Sequence, residues 1–154
     1  MTAVTLGRYF KVPFEKMKKA IEHYTPSNNR SQIVERGSNT FLLDAYNANL
    51  TSMTKALESF ATYQSENKIA ILGDMLELGE YSAKAHGQIL DLAVELGIET
   101  LTVGEEFAQL KRKKVKQFVT TSSLKEWFWK QSFDNTFFLL KGSRGIGLEK
   151  LLKS

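Results

Sequence analysis

The sequence predicts an α/β fold, a mostly parallel sheet with helices on both faces. Three observations carry that prediction. Helical and strand patterns alternate from Thr51 onward. Strands at 68–73, 99–104 and 136–142 each end in glycine, at Gly73, Gly104 and Gly142. The last of these strands is apolar along its length, as a strand buried on both faces must be.

Taken in order, Val4, Leu6, Tyr9 and Phe10 mark the end of one helix, stopped before Pro13. Pro13 starts a second, in which Phe14, Met17, Ile21 and Tyr24 recur at helical spacing. Pro26 and the polar run Ser27-Asn28-Asn29-Arg30-Ser31 end this amphipathic hairpin. Residues 32–36 and 40–44 read as strands joined by the turn Gly37-Ser38-Asn39, a β-hairpin. After Thr51, the residues Met53, Ala56, Leu57, Phe60 and Ala61 form one helix face. A strand at 68–73 follows, then a helix at 83–96 closed by Gly97, a strand at 99–104 and a short helix at 105–110. A brief strand at 117–120 leads into a helix that Ser122 or Ser123 caps and that runs to Trp129. Leu148, Leu151 and Leu152 give a closing helix after the last strand. The organisation is uneven: residues 1–39 read as the end of an upstream domain, and 40–154 as a complete α/β domain.

A chain of 154 residues is long enough to bury a real core. Apolar residues make up 42% and charged residues 25%, an ordinary soluble balance. No apolar run is long enough to span a bilayer, and the N-terminus lacks the layout of a signal peptide. The absence of cysteine excludes disulfides, thiolate metal sites and a Cys nucleophile, and fits a cytoplasmic protein. A net charge of +4 invites a nucleic-acid reading. The basic clusters Lys111-Arg112-Lys113-Lys114 with Lys116, and Lys16, Lys18 and Lys19, are not interleaved with aromatics as single-strand binders require. Neither a nucleic acid nor a membrane is therefore expected as a partner.

In an open α/β sheet, ligands bind beyond the carboxyl ends of the strands. Four loops lie there. In the first, the apolar Phe41-Leu42-Leu43 runs into Asp44, Tyr46, Asn47 and Asn49. Asn49 or Thr51 is either a helix cap or part of a site, and local chemistry leaves both open. The second, Gly73-Asp74-Met75-Leu76-Glu77-Leu78-Gly79, places two carboxylates between glycines. Asp74 and Glu77 form either a pair for a metal or amine, or favourable charges in the first turn of a helix. The third is Gly104-Glu105-Glu106. The fourth, Lys141-Gly142-Ser143-Arg144-Gly145, sets two cations beside exposed amides and suits a phosphate or carboxylate. Its glycines also permit a tight turn and nothing more. Neither a Gly-x-x-x-x-Gly-Lys-Ser/Thr loop nor a Gly-x-Gly-x-x-Gly fingerprint occurs. His86 can reach the same edge, although a lone histidine is more often structural. Trp127, Phe128 and Trp129 read as core plus one exposed ring.

In order and spacing, Asn28-Asn29-Arg30-Ser31, Asp44-Ala45-Tyr46-Asn47-Ala48-Asn49, the Gly73 to Gly79 loop and Lys141-Gly142-Ser143-Arg144 resemble the C-terminal part of the Mur ligase family, in particular its D-Ala-D-Ala-adding branch. The resemblance implies an ATP-dependent, ADP-forming peptide ligase of cytoplasmic peptidoglycan synthesis, acting as a monomer. In that family ATP phosphorylates the terminal carboxylate of UDP-N-acetylmuramoyl-tripeptide, and the amine of D-Ala-D-Ala attacks the acyl phosphate. It also implies a central ATPase domain, whose end would be residues 1–39, and a Rossmann-like C-terminal domain at 40–154. By position, Arg30 would meet the nucleotide phosphates and Asp44 the ribose, with Tyr46, Asn47 and Asn49 lining the nucleotide. Asp74, Lys141, Ser143 and Arg144 would face the acceptor. The P-loop lysine and the Mg2+ ligands of the central domain have no counterpart here. No catalytic or metal-binding residue is therefore assigned, and the chain is expected to be inactive alone. Two positions depart from the family pattern: Leu43, where many members have a second acid, and Leu50, where many have proline. A stand-alone α/β nucleotide-binding module and a basic nucleic-acid-binding module remain as alternatives.

Overall fold

The computed structural model describes residues 2–23, 29–112 and 115–153. The expectations for Tyr24, Pro26, Ser27, Asn28, Lys113 and Lys114 lie outside these residues. Helices α1 (Thr2–Tyr9) and α2 (Phe14–Glu22) form the expected hairpin, with Pro13 at the N-cap of α2. Neither helix buries a single residue, and Leu6, Tyr9, Phe10, Phe14 and Ile21 all stand exposed.

The α/β part follows as β1 (Gln32–Arg36), β2 (Asn39–Asp44), α3 (Leu50–Thr62), β3 (Asn67–Gly73), α4 (Ser82–Glu95), β4 (Glu99–Val103), α5 (Glu105–Gln109), β5 (Lys116–Phe118), α6 (Thr121–Phe128) and β6 (Thr136–Lys141). The expected hairpin is present: β1 pairs antiparallel with β2 and forms one edge of the sheet. All other pairings are parallel, in the order β1-β2-β6-β3-β4-β5. The last strand thus inserts between the second and third. It is flanked by strands on both sides and by helices above and below, and this explains its continuous apolar run.

Two cores flank the sheet. On one face α6 and the closing turn pack on Phe41, Leu43, Ile69, Ile71, Phe138 and Leu140. On the other, α3, α4 and α5 cover Ala70, Leu72 and Leu139. The chain leaving β2 and β3 therefore enters the second face, while the chain leaving β6 between them enters the first. Loops that part in this way open a crevice at the carboxyl ends of the strands. Beneath it the backbones touch: a Cβ on Gly142 would lie 2.8 Å from the Gly73 Cα.

Two local expectations are corrected. The closing helix is a 3₁₀ turn, Leu148–Leu152, entered from Gly147 in the left-handed region. The N-cap of α6 is Thr120, not Ser122 or Ser123. Its hydroxyl accepts the Ser123 amide, and Ser123 returns the bond as the third residue of a capping box. Several consecutive hydroxyl residues made the cap ambiguous; burial of Leu124 and Phe128 sets the helix phase.

Phe138 is fully buried, stacked on Phe41 at 4.7 Å between ring centres and edge-on to Phe128 and Phe133. Phe138→Ala is expected to cost about 3–5 kcal/mol in urea denaturation. A loss below about 1 kcal/mol would contradict this packing.

Candidate functional site

The register of the sheet determines what meets at the crevice. Asp44 and Lys141 are paired positions at the ends of β2 and β6. Lys141 Nζ lies 2.9 Å from Asp44 Oδ2 and donates to the Asn47 carbonyl at 2.7 Å. The lysine side chain is 4% exposed, the aspartate 27%. The ammonium is thus satisfied inside the protein, and it ties the turn after β2 to the central strand.

That turn carries Tyr46, Asn47 and Asn49. The Asn47 side chain accepts the amide of Ala48 at 2.9 Å and stiffens the turn. Asn49 caps α3: its side chain accepts the Ser52 amide at 2.9 Å, and Ser52 bonds back to the Asn49 amide. The Tyr46 ring remains partly exposed and collects two guanidiniums. Arg30 Cζ lies 3.9 Å from its centroid and Arg144 Cζ 5.6 Å.

The β3 loop is organised from inside. Asp74 is buried, and its carboxylate accepts the amides of Glu106 and Phe107 at 2.9 and 3.0 Å. It thereby supplies the cap that Gly104 cannot give α5. Gly104 is required there, because its φ is 128° and a Cβ would fall 2.1 Å from the Asp74 carboxylate. Glu77 is exposed, so Asp74 and Glu77 form no pair. Neither lies in the first turn of α4, which follows a separate 3₁₀ turn, Gly79–Tyr81. His86 is fully buried on α4. Its Nε2 accepts the Met75 amide at 2.9 Å, which leaves Nδ1 to donate to the Ser82 carbonyl at 2.8 Å. The next amide, Leu76, donates to Ser143 Oγ at 2.9 Å, and the Ser143 amide donates to the Asp74 carbonyl at 3.0 Å. The loops after β3 and β6 are therefore fastened together.

Of the residues expected around the nucleotide, Arg30, Asp44, Tyr46 and Asn47 come together at one crevice, with Asn49 at its edge engaged as a cap. Of those expected at the acceptor, Asp74, Lys141 and Ser143 have their polar groups engaged inside the protein, and Arg144 alone is exposed. The Ser82–His86 link was visible in the sequence only as a helical i, i+4 spacing. A groove of about 400 Å³ opens beside Asp44 among Ser31, Leu42, Ser52, Lys55 and Ser59. A larger depression of about 560 Å³ lies at the opposite edge, where Asn67, Glu99 and Thr136 begin their strands. It shares no residue with the crevice.

Burial raises the Asp74 carboxyl above its usual 3.8; the two amides and His86 act against the rise, and Glu106 adds to it. A carboxyl whose folded pKa is raised contributes stability that is full below the unfolded pKa and lost as pH climbs through the folded one. Wild-type stability should therefore fall relative to Asp74→Asn as the pH climbs from about 4 through the raised folded pKa. Denaturation at stepped pH measures the difference, and a flat or rising difference would contradict the assignment.

Residues 29–144 match the sequence profile of the Mur ligase, glutamate ligase domain. Over 98% of its length the chain is 36% identical to the UDP-N-acetylmuramoyl-tripeptide–D-alanyl-D-alanine ligase of Treponema pallidum, covering 35% of that protein. Among solved structures it resembles MurF from Acinetobacter baumannii at a TM-score of 0.79 and 28% identity, over 97% of this chain and 34% of that one. The MurF ligase of Thermotoga maritima, solved in complex with ADP, shares the fold at a TM-score of 0.79 and 18% identity, over 97% of this chain and 35% of that one. The chain spans about a third of the length of the curated relatives it matches. It belongs to the Mur ligase family, as a C-terminal domain homologous to that of the D-Ala-D-Ala-adding ligases.

Proposed function

We propose that this chain is the C-terminal part of an ATP-dependent, ADP-forming ligase that joins D-Ala-D-Ala to UDP-N-acetylmuramoyl-tripeptide in cytoplasmic peptidoglycan synthesis. Similarity to D-Ala-D-Ala-adding ligases supports the reaction, and the crevice supports the chain's share of it. One observation carries the reading: a carboxylate oriented by a buried lysine stands beside an exposed ring on which two guanidiniums converge. That donor set fits a nucleotide, with an acid for the ribose hydroxyls and cations for the phosphates.

In this reading Asp44 accepts the ribose hydroxyls and Lys141 holds Asp44 in place. Arg30 meets the phosphates, while Tyr46, Asn47 and Asn49 shape the wall beside them. The acceptor lies over the neighbouring loops after β3 and β6, whose form Asp74, His86 and Ser143 maintain. The hairpin of α1 and α2 belongs to the ATPase domain in this reading, which gives its exposed apolar stripe a surface to cover. Among the described residues no cluster of His, Asp or Glu could hold a metal ion, and Mg2+ is assigned to none of them. Likewise no described helix is long and apolar enough to cross a membrane.

The reading is tested in the complete ligase by steady-state kinetics of Asp44→Asn. Loss of a charged hydrogen-bond acceptor should raise KM for ATP about tenfold or more. The KM for D-Ala-D-Ala should stay within about twofold. An unchanged KM for ATP would remove Asp44 from the nucleotide site.

A further inference from the structure

We propose that Arg30 and Arg144 form a single clamp for a phosphoryl group, so that Arg144 serves the phosphate end of the crevice and not the carboxylate of the amine acceptor. This inference rests on the nucleotide reading above and assigns a partner to the one exposed cation of the β6 loop.

The two guanidiniums arrive from distant parts of the sequence and converge on one ring, at 3.9 and 5.6 Å from the Tyr46 centroid. Their central carbons are separated by no more than those two distances together. Both side chains are exposed, and neither makes a hydrogen bond or an ion pair with any described residue. The remaining cation of the crevice, Lys141, is already neutralised by Asp44. Two full positive charges thus meet at one ring without a counter-charge among the described residues. An aromatic face attracts each of them but neutralises neither.

The charge and shape of the missing anion follow. A peptide carboxylate brings one negative charge and one edge of oxygens, enough for a single guanidinium fork. A phosphoryl group brings close to two charges and three free oxygens, which two forks can share. Two unpaired arginines are therefore matched by phosphate and over-supplied for a carboxylate.

The backbone on each side supports a fixed clamp. Asn29 and Ser31, flanking Arg30, sit at φ values of 59° and 47°. Asn enters that region readily and Ser at a cost, so the strain lies on the Ser31 side of the exposed arginine, where it persists only if the surroundings enforce it. On the other side Ser143 is held through its hydroxyl by the Leu76 amide and through its own amide by the Asp74 carbonyl. Arg144 therefore starts from an anchored residue.

The test titrates inorganic pyrophosphate, ADP and D-Ala-D-Ala separately into the full chain by calorimetry. The proteins are wild type, Arg30→Gln, Arg144→Gln, the double variant and Asp44→Asn. Each single arginine variant should weaken pyrophosphate binding about tenfold. The double variant should lose less than the product of the two, because both arginines grip one anion. Arg144→Gln should leave the D-Ala-D-Ala response as in wild type. The clamp is overturned if wild type fails to bind pyrophosphate. It is also overturned if Arg144→Gln leaves pyrophosphate untouched, weakens D-Ala-D-Ala instead, or combines with Arg30→Gln in strict proportion. The nucleotide reading fails separately, if ADP binds no more tightly than pyrophosphate and Asp44→Asn changes neither. Both arginines are exposed, and an unchanged unfolding midpoint confirms that the variants stay folded.

Discussion

The ion pair between Asp44 and Lys141 is the contact on which the rest of this edge depends. It exists because β6 inserts beside β2 in a register that pairs the two positions. Burying an ammonium costs far more than one surface ion pair returns, unless its donors are met. Here they meet the carboxylate and the Asn47 carbonyl. Satisfying the lysine therefore fixes the path of the turn after β2. That turn presents Tyr46, and on Tyr46 the two arginines converge. Charge satisfaction within the fold and the proposed ligand geometry at the surface are consequently the same arrangement seen from two sides.

A second set of ties prepares the neighbouring loops. Asp74 caps α5 across Gly104, His86 holds the Met75 amide, and Ser143 holds the Leu76 amide. Each bond satisfies a backbone donor that the crevice would otherwise leave buried and unpaired. The loops are thus set before any ligand arrives, which lowers the ordering that binding must impose. The hairpin of α1 and α2 contrasts with this: it is regular in backbone yet buries nothing among the described residues.

Much of this was legible in the sequence. Alternating periodicity located the β strands and main helices to within about a residue or two, and glycines marked the strand ends. The Asp44 to Asn49 stretch stood out as a strand feeding polar groups into a helix start. The open choice there resolved as a cap for Asn49, while Asp44 and Tyr46 turned to the crevice. Strand order was not legible, because hydrophobic period says nothing about which strand lies next to which. Asp44 and Lys141 were therefore expected at separate ligands when they touch each other. The same blindness hid the destination of Asp74, whose amide partners lie one strand further along the chain. The two departures from the family pattern also become clear. Leu43 packs into the core below the crevice. Leu50 is the first residue of α3, a position that proline suits but does not monopolise, and Asn49 caps the helix all the same.

The central claim is that Asp44 and Lys141 act as one unit, and a double-mutant cycle measures it most directly. Asp44→Ala, Lys141→Met and the double variant are compared with wild type by urea denaturation of the full chain. Asp44→Ala should be the costlier single change, at about 3 kcal/mol, because it strands a buried ammonium. Lys141→Met should cost about 1–2 kcal/mol, because the partly exposed Asp44 can rehydrate. The two should couple by about 1–2 kcal/mol. Effects that add within about 0.3 kcal/mol would contradict the account.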